Sequence, residues 1–318
     1  MSAEGKNVLV TGGAGFIGSH LTARLLESGG HVTGLDLFDD FYAPELKQAN
    51  VEPFLRHRNY RLVKGDIRDE PLLQELFSRG SFDVVVHLAA RAGVRPSLEM
   101  PGLYQDVNVR GTATLLEASR RHDVRRVVFG SSSSVYGNNS KVPFAEDDPA
   151  EHPISPYAAS KRAGELLAYS YHHLYGMDIS CLRFFTVYGP AQRPEMAIHK
   201  FTRAIEEGRP VTMFGDGSMR RDFTYVDDII DGVVAAMERA RGYRIYNLGE
   251  SQTITVAELI ERIGEALGKV PQIERLPTQP GDVEVTYADI QRAKEELGYA
   301  PAIDVVQGLQ KFVAWFRR

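Results

Sequence analysis

Cysteine is almost absent from the chain, because Cys181 is the only one among 318 residues. A single thiol excludes an internal disulfide and a metal site made of several thiolates, and it fits a reducing compartment. The chain also lacks a large excess of positive or negative charge. Its 37 lysines and arginines and 42 aspartates and glutamates give a formal net charge of −5. Such a mildly acidic chain lacks the positive charge with which proteins bind nucleic-acid phosphates.

Long apolar runs are also missing. No segment stays apolar for the roughly 20 residues that a membrane-spanning helix needs. The first residues lack the positively charged and then apolar layout of a secretory leader. We therefore expect a cytoplasmic protein that binds neither a membrane nor nucleic acid. We expect no metal site, because the neighbouring His172 and His173 point apart on a predicted helix.

Short apolar runs alternate with helical patterns over residues 1–188. The runs lie at 7–11, 31–36, 61–63, 84–88, 127–129 and 179–184, and long helices are expected at 107–122 and 156–175. Apolar strands between helices favour a parallel sheet covered by helices on both faces. We expect a doubly wound α/β domain of the Rossmann type over residues 1–188 and a smaller substrate-binding lobe over 189–318. A strand near 245–248 could return to the main sheet.

A glycine-rich turn follows the first predicted strand and precedes a predicted helix. A tight turn without side chains lets a pyrophosphate approach the backbone, and the helix N-terminus offers free N–H groups to that anion. Glycine spacing alone is a weak signal, but between a strand and a helix it becomes a strong one. The residues expected to contact a dinucleotide here are Gly12, Gly15, Phe16, Ile17 and Gly18.

Asp36 ends the second predicted strand, 18 residues after Gly18. A carboxylate there can accept hydrogen bonds from ribose hydroxyls and would repel a 2′-phosphate. The glycine turn and Asp36 together therefore favour NAD over NADP. By itself Asp36 would be interpreted as an ordinary aspartate in a turn. Further cofactor-binding candidates follow the third and fourth strands or lie on the next helix, namely Asp66, Ile67, Leu88, Ala89, Ala90 and Asn108.

Tyr157 and Lys161 are four residues apart on a predicted helix and so share one face. A free tyrosine has a pKa near 10, and lowering it to about 7 takes about 4 kcal/mol. We expect the lysine ammonium and a nicotinamide cation to supply that stabilisation of the phenolate. Ser132, just after the fifth strand, could hold a substrate oxygen against Tyr157. The alternative is a surface pair on an amphipathic helix beside a polar loop.

Several motifs together resemble the extended short-chain dehydrogenase/reductase family. They lie at residues 11–18, 36, 131–137, 155–161, 220–228 and 281–282, so the resemblance covers nearly the whole chain. Within the family the chain is most similar to nucleotide-sugar 4-epimerases, above all those that act on UDP-glucuronate. The segments that carry this narrower resemblance are 38–47, 135–139 and 183–194.

The resemblance implies a role for each residue of the predicted catalytic set. Tyr157 would be the base, Lys161 its electrostatic partner and a ribose ligand, and Ser132 the hydroxyl that orients the sugar oxygen. The implied chemistry oxidises C4 of a UDP-sugar with bound NAD, turns the 4-keto sugar over, and returns hydride to its opposite face. Because net redox is zero, NAD would stay bound as a prosthetic group.

Substrate choice is implied by a second set of positions. Sugar 4,6-dehydratases and UDP-glucuronate decarboxylases carry acidic residues where Ser133 and Ser134 stand, so simple epimerisation is favoured. Glucose-type epimerases usually place asparagine at the position of Thr186. Thr186 and Arg193 suit a C6 carboxylate, whose geometry matches the arginine fork. The alternative for Arg193 is an arginine in a surface loop.

Other readings stay open at this point. The substrate could be UDP-glucose or UDP-N-acetylglucosamine, the reaction could be a decarboxylation or dehydration, or the chain could be a catalytically silent NAD-binding protein. The resemblance also assigns Arg221 and Asp282 to the diphosphate and uridine ribose, and Arg95 to the sugar or phosphate. Asp227 and Asp228 are interpreted as a helix N-cap. The helices 107–122 and 156–175 would pair across a two-fold axis in a homodimer, as in relatives.

Overall fold

The computed structural model describes residues 4–277 and 285–318. In chain order its strands are β1 Asn7–Thr11, β2 His31–Asp36, β3 Tyr60–Lys64, β4 Val84–His87, β5 Arg126–Ser132, β6 Asp178–Phe184, β7 Thr186–Tyr188, β8 Val211–Phe214, β9 Arg220–Arg221, β10 Phe223–Tyr225, β11 Tyr243–Leu248, β12 Ile254–Thr255 and β13 Ile273–Leu276.

The helices are numbered in the same way. They are α1 Phe16–Glu27, α2 Pro44–Val51, α3 Glu70–Gly80, α4 Val94–Glu99, α5 Pro101–Gln105, α6 Gly111–Arg121, α7 Pro156–Tyr175, α8 Ala197–Glu206, α9 Val226–Arg239, α10 Val256–Leu267 and α11 Val305–Phe316. None of those in the described ranges is long and apolar enough to cross a membrane.

Seven strands form one parallel sheet in the order β3-β2-β1-β4-β5-β6-β11. The continuous apolar run of β4 is buried along its whole length, as a strand covered on both faces must be. The chain crosses from β3 to β4 over β1 and β2, which creates a switch point beside β1. Ligands of such sheets bind outside the carboxyl ends of the strands at this point.

Helices cover both faces of the sheet, and alternate residues of β1 show the division. Val8 and Val10 lie in the core with α1 and α9, whereas Leu9 lies in the core with α3, α6 and α7. Because successive side chains of a strand point to opposite faces, one short strand contributes to both cores. The expected doubly wound α/β fold is confirmed.

The second half of the chain also contributes to the main sheet. β11 pairs with β6 over six residues, from Tyr243 opposite Ile179 to Leu248 opposite Phe184. Outside the main sheet, β7 and five later strands form three two-stranded pairs, β7 with β10, β9 with β12 and β8 with β13. The division into domains at residue 188 stays a prediction.

Two local expectations differ from the structure. The helix predicted over 107–122 is interrupted, because Asp106–Arg110 forms a π-helical turn before α6. The predicted N-cap is wrong, since Tyr225 is the N-cap residue of α9. The Asp228 carboxylate instead accepts hydrogen bonds from the backbone N–H groups of Ala302 and Ile303, at 3.0 and 3.1 Å.

Candidate active site

A cavity of about 510 Å³ opens at the carboxyl ends of the central strands, beside the switch point. Most of the predicted site residues line it. They are Gly12, Gly15, Phe16, Ile17, Gly18, Asp36, Asp66, Ile67, Leu88, Ala89, Ala90, Ser132, Ser133, Ser134, Tyr157, Lys161, Thr186 and Arg193. One cavity therefore receives the glycine turn, the Tyr-Lys pair and both residues predicted to bind a carboxylate.

The glycine turn packs too closely for side chains. Gly12 has φ +71°, and a Cβ there would lie 2.8 Å from the backbone nitrogen of Ala89. A Cβ on Gly18 would lie 2.1 Å from the carbonyl oxygen of Gly12. α1 then begins after Gly15 with no side-chain cap. The N–H groups of its first turn are therefore not bonded to a capping side chain, and they lie at the end of the helix that borders the cavity. This backbone cradle fits the pyrophosphate of a dinucleotide.

Asp36 is held beside that turn by the backbone. Its carboxylate accepts hydrogen bonds from the N–H groups of Ala14 (3.0 Å) and Phe38 (2.8 Å). Burial raises the pKa of Asp36, while these bonds and the charge of Lys47 act in the opposite direction. The carboxylate therefore has a set orientation at the place where ribose hydroxyls are expected.

Asp66 is ion-paired to a neighbour. The Nε atom of Arg68 lies 3.0 Å from both carboxylate oxygens of Asp66, and the Arg68 backbone N–H donates a third bond at 2.8 Å. Burial would raise the pKa of Asp66, but the bonds from Arg68 outweigh it and the pKa is lowered. Asp66 is thus a fixed carboxylate on the wall of the cavity.

Asn108 lies outside the cavity lining and is buried within the π-helical turn. Its side-chain amide accepts a bond from the backbone N–H of Arg91 (2.8 Å) and donates to the Arg91 carbonyl (2.9 Å) and to Ser160 Oγ (2.9 Å). These contacts place Asn108 behind the wall that follows β4. The contact of Asn108 with the cofactor stays a prediction.

The first two turns of α7 contain the Tyr-Lys pair. Ser155 caps the helix through a bond from the Ala158 N–H to its Oγ (3.1 Å), and Pro156 occupies the first turn, where its missing N–H costs little. Tyr157 therefore lies at the positive end of the helix dipole, which favours a phenolate. Lys161 lies one turn later, and its Nζ donates to the carbonyl of Gly130 at 2.8 Å.

The predicted lowering of the Tyr157 pKa is not what the chain's own groups produce. Burial raises the pKa of Tyr157, and a hydrogen bond with Ser132 and the charge of Arg193 only partly oppose it. Burial also lowers the pKa of Lys161 to about 8, with the charge of Glu165 acting against it. In this dry position the loss of hydration outweighs the favourable charges.

Thr186 and Arg193 reach the cavity from the segment after β6. Thr186 begins β7, and Arg193 forms an ion pair with Glu195 in which Nη1 and Oε1 are 3.0 Å apart. The Arg193 guanidinium also lies 5.6 Å from the centre of the Phe41 ring. Arg193 is therefore a half-buried residue of the cavity wall and not the surface loop arginine of the alternative interpretation.

Two predicted substrate contacts do not line the cavity. Arg95 lies on α4 with its guanidinium 5.2 Å from the centre of the Phe214 ring. Arg221 lies on β9, where its Nη1 donates to the carbonyl of Arg220 at 2.9 Å. Neither residue lines the cavity in the described part of the chain. Asp282 lies outside the described residues.

Several residues near the cavity were not predicted to act there. Phe41 lines it, and the guanidinium of Arg91 lies 5.4 Å from the centre of its ring. His87 is buried beneath the glycine turn, with Nδ1 2.7 Å from Thr11 Oγ1 and Nε2 2.9 Å from Thr112 Oγ1. Burial lowers the pKa of His87 to about 3, so it is neutral. The aromatic residues at 38–42 could have indicated from the sequence that Phe41 lies at the cavity.

Comparisons with known proteins agree with this geometry. The model of the NAD dependent epimerase/dehydratase family matches residues 8–249. The chain is 44% identical over 308 residues to UDP-glucuronate 4-epimerase of Thermodesulfobacterium geofontis, covering 96% of this chain and 95% of that protein. It is also 44% identical over 334 residues to UDP-glucuronate 4-epimerase 5 of Arabidopsis thaliana, covering 99% and 76%.

Solved structures are similar over almost the entire chain. The UDP-glucuronic acid 4-epimerase of Bacillus cereus, in complex with UDP-glucuronic acid and NAD, is 37% identical with a TM-score of 0.92, covering 98% of both chains. The UDP-glucose 4-epimerase of Thermotoga maritima, with UDP-glucose, is 34% identical with a TM-score of 0.91, also covering 98% of both. The chain belongs to the NAD dependent epimerase/dehydratase family.

Proposed function

We propose that this protein is a UDP-glucuronate 4-epimerase with NAD as its bound cofactor. The observation that carries the proposal is a single cavity that contains the glycine turn, Ser132, Tyr157 and Lys161 together with Thr186 and Arg193. Relatives with that name match almost the full chain, and the Bacillus cereus epimerase binds UDP-glucuronic acid and NAD. The residues present fit both molecules.

NAD, held by the glycine turn and Asp36, would supply reversible hydride transfer at C4 of the sugar. Tyr157 Oη would take the proton of the 4-hydroxyl and give it back. Ser132 Oγ would hold the same oxygen, and Lys161 would contribute positive charge beneath the cofactor ribose. The N–H groups of the glycine turn would bind the pyrophosphate. Lys161 is buried and Tyr157 is partly buried, and a bound substrate would exclude water from the proton transfer.

The cavity wall favours epimerisation over elimination. Ser132 Oγ accepts a bond from the Ser134 N–H at 3.2 Å, so the turn after β5 presents hydroxyls to the cavity. An elimination needs an acid or base at this place, and neither Ser133 nor Ser134 supplies a carboxyl group. Thr186 and Arg193 would bind the C6 carboxylate, and this preference separates UDP-glucuronate from UDP-glucose.

A second candidate is 4-epimerisation of UDP-glucose, the substrate bound by the Thermotoga maritima enzyme. It is favoured by the ion pair of Arg193 with Glu195, because a guanidinium that already has a carboxylate partner attracts a second one less strongly. Phe41, which lies against Arg193, would pack equally well beside an uncharged sugar.

Product analysis with three substrates tests the proposal. The protein would be incubated with UDP-glucuronate, UDP-glucose and UDP-N-acetylglucosamine, and products followed by NMR. We expect UDP-galacturonate to form with the highest kcat/KM, and Tyr157→Phe to lower that rate at least about a hundredfold. A UDP-pentose as the main product, or turnover only of the uncharged sugars, would overturn it.

We further propose a cytoplasmic homodimer in which α7 packs against its symmetry mate. Leu166, Tyr169 and Leu174 are apolar residues of α7 that are more than half exposed, at 53%, 51% and 66%. They lie within a single face of the helix, which suits an isologous contact. A monomeric mass by light scattering would contradict the dimer. The buried free thiol of Cys181 supports a reducing compartment.

A further inference from the structure

A buried carboxylate lies on α7 one turn beyond Lys161. Glu165 is completely buried and forms two bonds with Arg183, from Nε to Oε1 and from Nη2 to Oε2, each 2.9 Å long. Arg162 donates a third bond to Oε2 at 2.8 Å. Ser131 Oγ donates a fourth bond to Oε1 at 2.7 Å. Glu165 does not line the cavity, so it does not touch the ligands proposed above.

The bond from Ser131 completes a row of contacts between α7 and the end of β5. Tyr157, Lys161 and Glu165 are spaced four residues apart and lie on one face of the helix. Each meets one of three consecutive residues of β5. Tyr157 bonds with Ser132, Lys161 donates to the Gly130 carbonyl, and Glu165 accepts from the residue between these two.

We propose that Glu165 is a positioning residue for the epimerase reaction, because it holds Ser131 and thereby the adjacent Ser132 against Tyr157. The inference rests on the proposed function. It extends the pair Tyr157 and Lys161 to a set of three residues on one helix face, of which the third acts through its neighbours.

The groups around Lys161 leave Glu165 as its counter-charge. On its own helix Lys161 is flanked by Tyr157 and Glu165. The charge of Glu165 raises the pKa of Lys161 against the effect of burial. From β4 it faces His87, which is neutral because its pKa is lowered to about 3. Arg183, on β6, lies beyond the carboxylate and is paired with it. Neutralising Glu165 would therefore lower the pKa of Lys161.

The two effects of Glu165 can be separated by two substitutions. Ser131→Ala removes the bond to β5 and leaves the buried ion pair with Arg183 in place. We expect kcat to fall about tenfold with KM unchanged, the effect of one lost hydrogen bond. Glu165→Gln removes the charge and keeps an oxygen that can accept the bond from Ser131. We expect the alkaline limb of its kcat profile to lie about one pH unit lower than in the wild type.

Arg162→Gln is the matched control, because Arg162 bonds to the same carboxylate from the more exposed side, at 27% side-chain exposure. It contacts neither β5 nor Lys161 in the contacts described above. We expect its kcat and its pH profile to equal those of the wild type. Equal losses in Arg162→Gln and Ser131→Ala would show a merely structural role and overturn the inference.

A readout that needs no turnover distinguishes this inference from the proposed function. Protein labelled with 3-fluorotyrosine gives a ¹⁹F resonance for Tyr157 that is identified by its absence in Tyr157→Phe. The hydrogen bond from Ser132 lowers the pKa of Tyr157. We therefore expect this resonance to titrate at higher pH in Ser131→Ala than in the wild type. An unchanged titration would overturn the positioning role, even if no UDP-sugar were turned over.

Discussion

At the scale of single residues, burial moves three groups around the cavity toward their neutral forms. It raises the pKa of Tyr157, lowers that of Lys161 to about 8, and lowers that of His87 to about 3. The hydrogen bond from Ser132 and the charge of Arg193 oppose this effect at the tyrosine. Arg193 would therefore serve twice, by binding the substrate carboxylate and by favouring the phenolate.

Arg193→Ala tests the first of these roles. We expect KM for UDP-glucuronate to rise roughly ten- to a hundredfold, as for a lost bond between charged groups, while KM for UDP-glucose stays nearly constant. A UDP-pentose should appear as well, because a 4-keto uronic acid whose carboxylate is free to rotate can lose CO₂. Glu195→Gln, which keeps the arginine, is the control. Unchanged epimerisation without extra pentose would contradict the role.

Residue identity alone predicted the cavity's main members but not its buried charges. Tyr157, Lys161 and Ser132 could be found because their spacing is tied to a helix and to a strand end. Glu165 and Arg183 could not, because a charged residue on a helix or strand is ordinarily solvated and its partner is set by tertiary packing. The lowering of the Tyr157 pKa stays a prediction, because it includes the charge of the nicotinamide. The burial that opposes it could not be estimated before the structure was known.

At the scale of elements, the turn from β1 into α1 is tightly packed against backbone. Its glycines leave no room for a Cβ, because other backbone atoms occupy the space. Backbone cannot move aside as a flexible side chain can. A substitution in this turn must therefore open it and misplace the N–H groups at the start of α1.

Gly18→Ala tests this packing. Its Cβ would lie 2.1 Å from the Gly12 oxygen, and we expect a loss of about 1–3 kcal/mol in the free energy of unfolding and at least tenfold weaker NAD binding. Urea unfolding and calorimetry measure the two effects. Gly102→Ala is the control, because nothing lies within 4 Å of a Cβ at that exposed helical position. Wild-type NAD affinity in Gly18→Ala would refute the cradle.

Elements with a strong apolar pattern were predicted nearly to the residue, as α7 shows by beginning at Pro156 and ending at Tyr175. Its cap, its proline and the following glycine are all local signals. The π-helical turn at Asp106–Arg110 was not predicted, because it has the composition of a helix. Within this turn Asn108 contacts Arg91, a residue from another part of the chain, and such a contact leaves no local signal in the sequence.

At the scale of the whole molecule, a buried carboxylate joins three distant segments. Asp222 accepts bonds from the N–H groups of Glu250 (2.8 Å), Ser251 (3.1 Å) and Ala288 (3.2 Å). Burial raises the pKa of Asp222 to about 6. Burial and the charges of Asp228, Asp222 and Asp304 raise the pKa of Glu250 to about 8. Glu250 is therefore protonated at neutral pH.

These raised pKa values make stability fall as pH rises. Between about 4.5, the usual pKa of glutamate, and about 8 the folded protein keeps a proton on Glu250 that the unfolded chain loses. Unfolding therefore becomes easier across that window. His87 acts in the opposite direction on the acid side, because its stabilising effect is lost as pH falls from 6.5 toward about 3.

Glu250→Gln should remove most of the alkaline loss. We expect the variant to match the wild type near pH 4 and to exceed its stability near pH 9, where the wild type must hold a charge among carboxylates. Urea unfolding at both pH values measures the difference. Glu261→Gln, an exposed position on α10, is the control. A wild-type slope of stability against pH in Glu250→Gln would contradict this account.

The fold class was predictable because continuous apolar strands between helices admit few arrangements. The places of Arg95 and Arg221 relative to the cavity could not be predicted. The path of the chain after each strand depends on contacts that have no periodicity in the sequence. The clustering of the predicted cofactor residues followed from strand ends alone, because parallel strands bring their carboxyl ends to one edge of the sheet.

The central claim is that hydride leaves C4 of the sugar and returns to the same carbon within the cavity. The most direct measurement uses UDP-glucuronate that carries deuterium at C4, in ordinary water, with NMR analysis of the product. The account predicts UDP-galacturonate that keeps its deuterium at C4 with inverted configuration. Hydrogen from water at C4 of the product would contradict it.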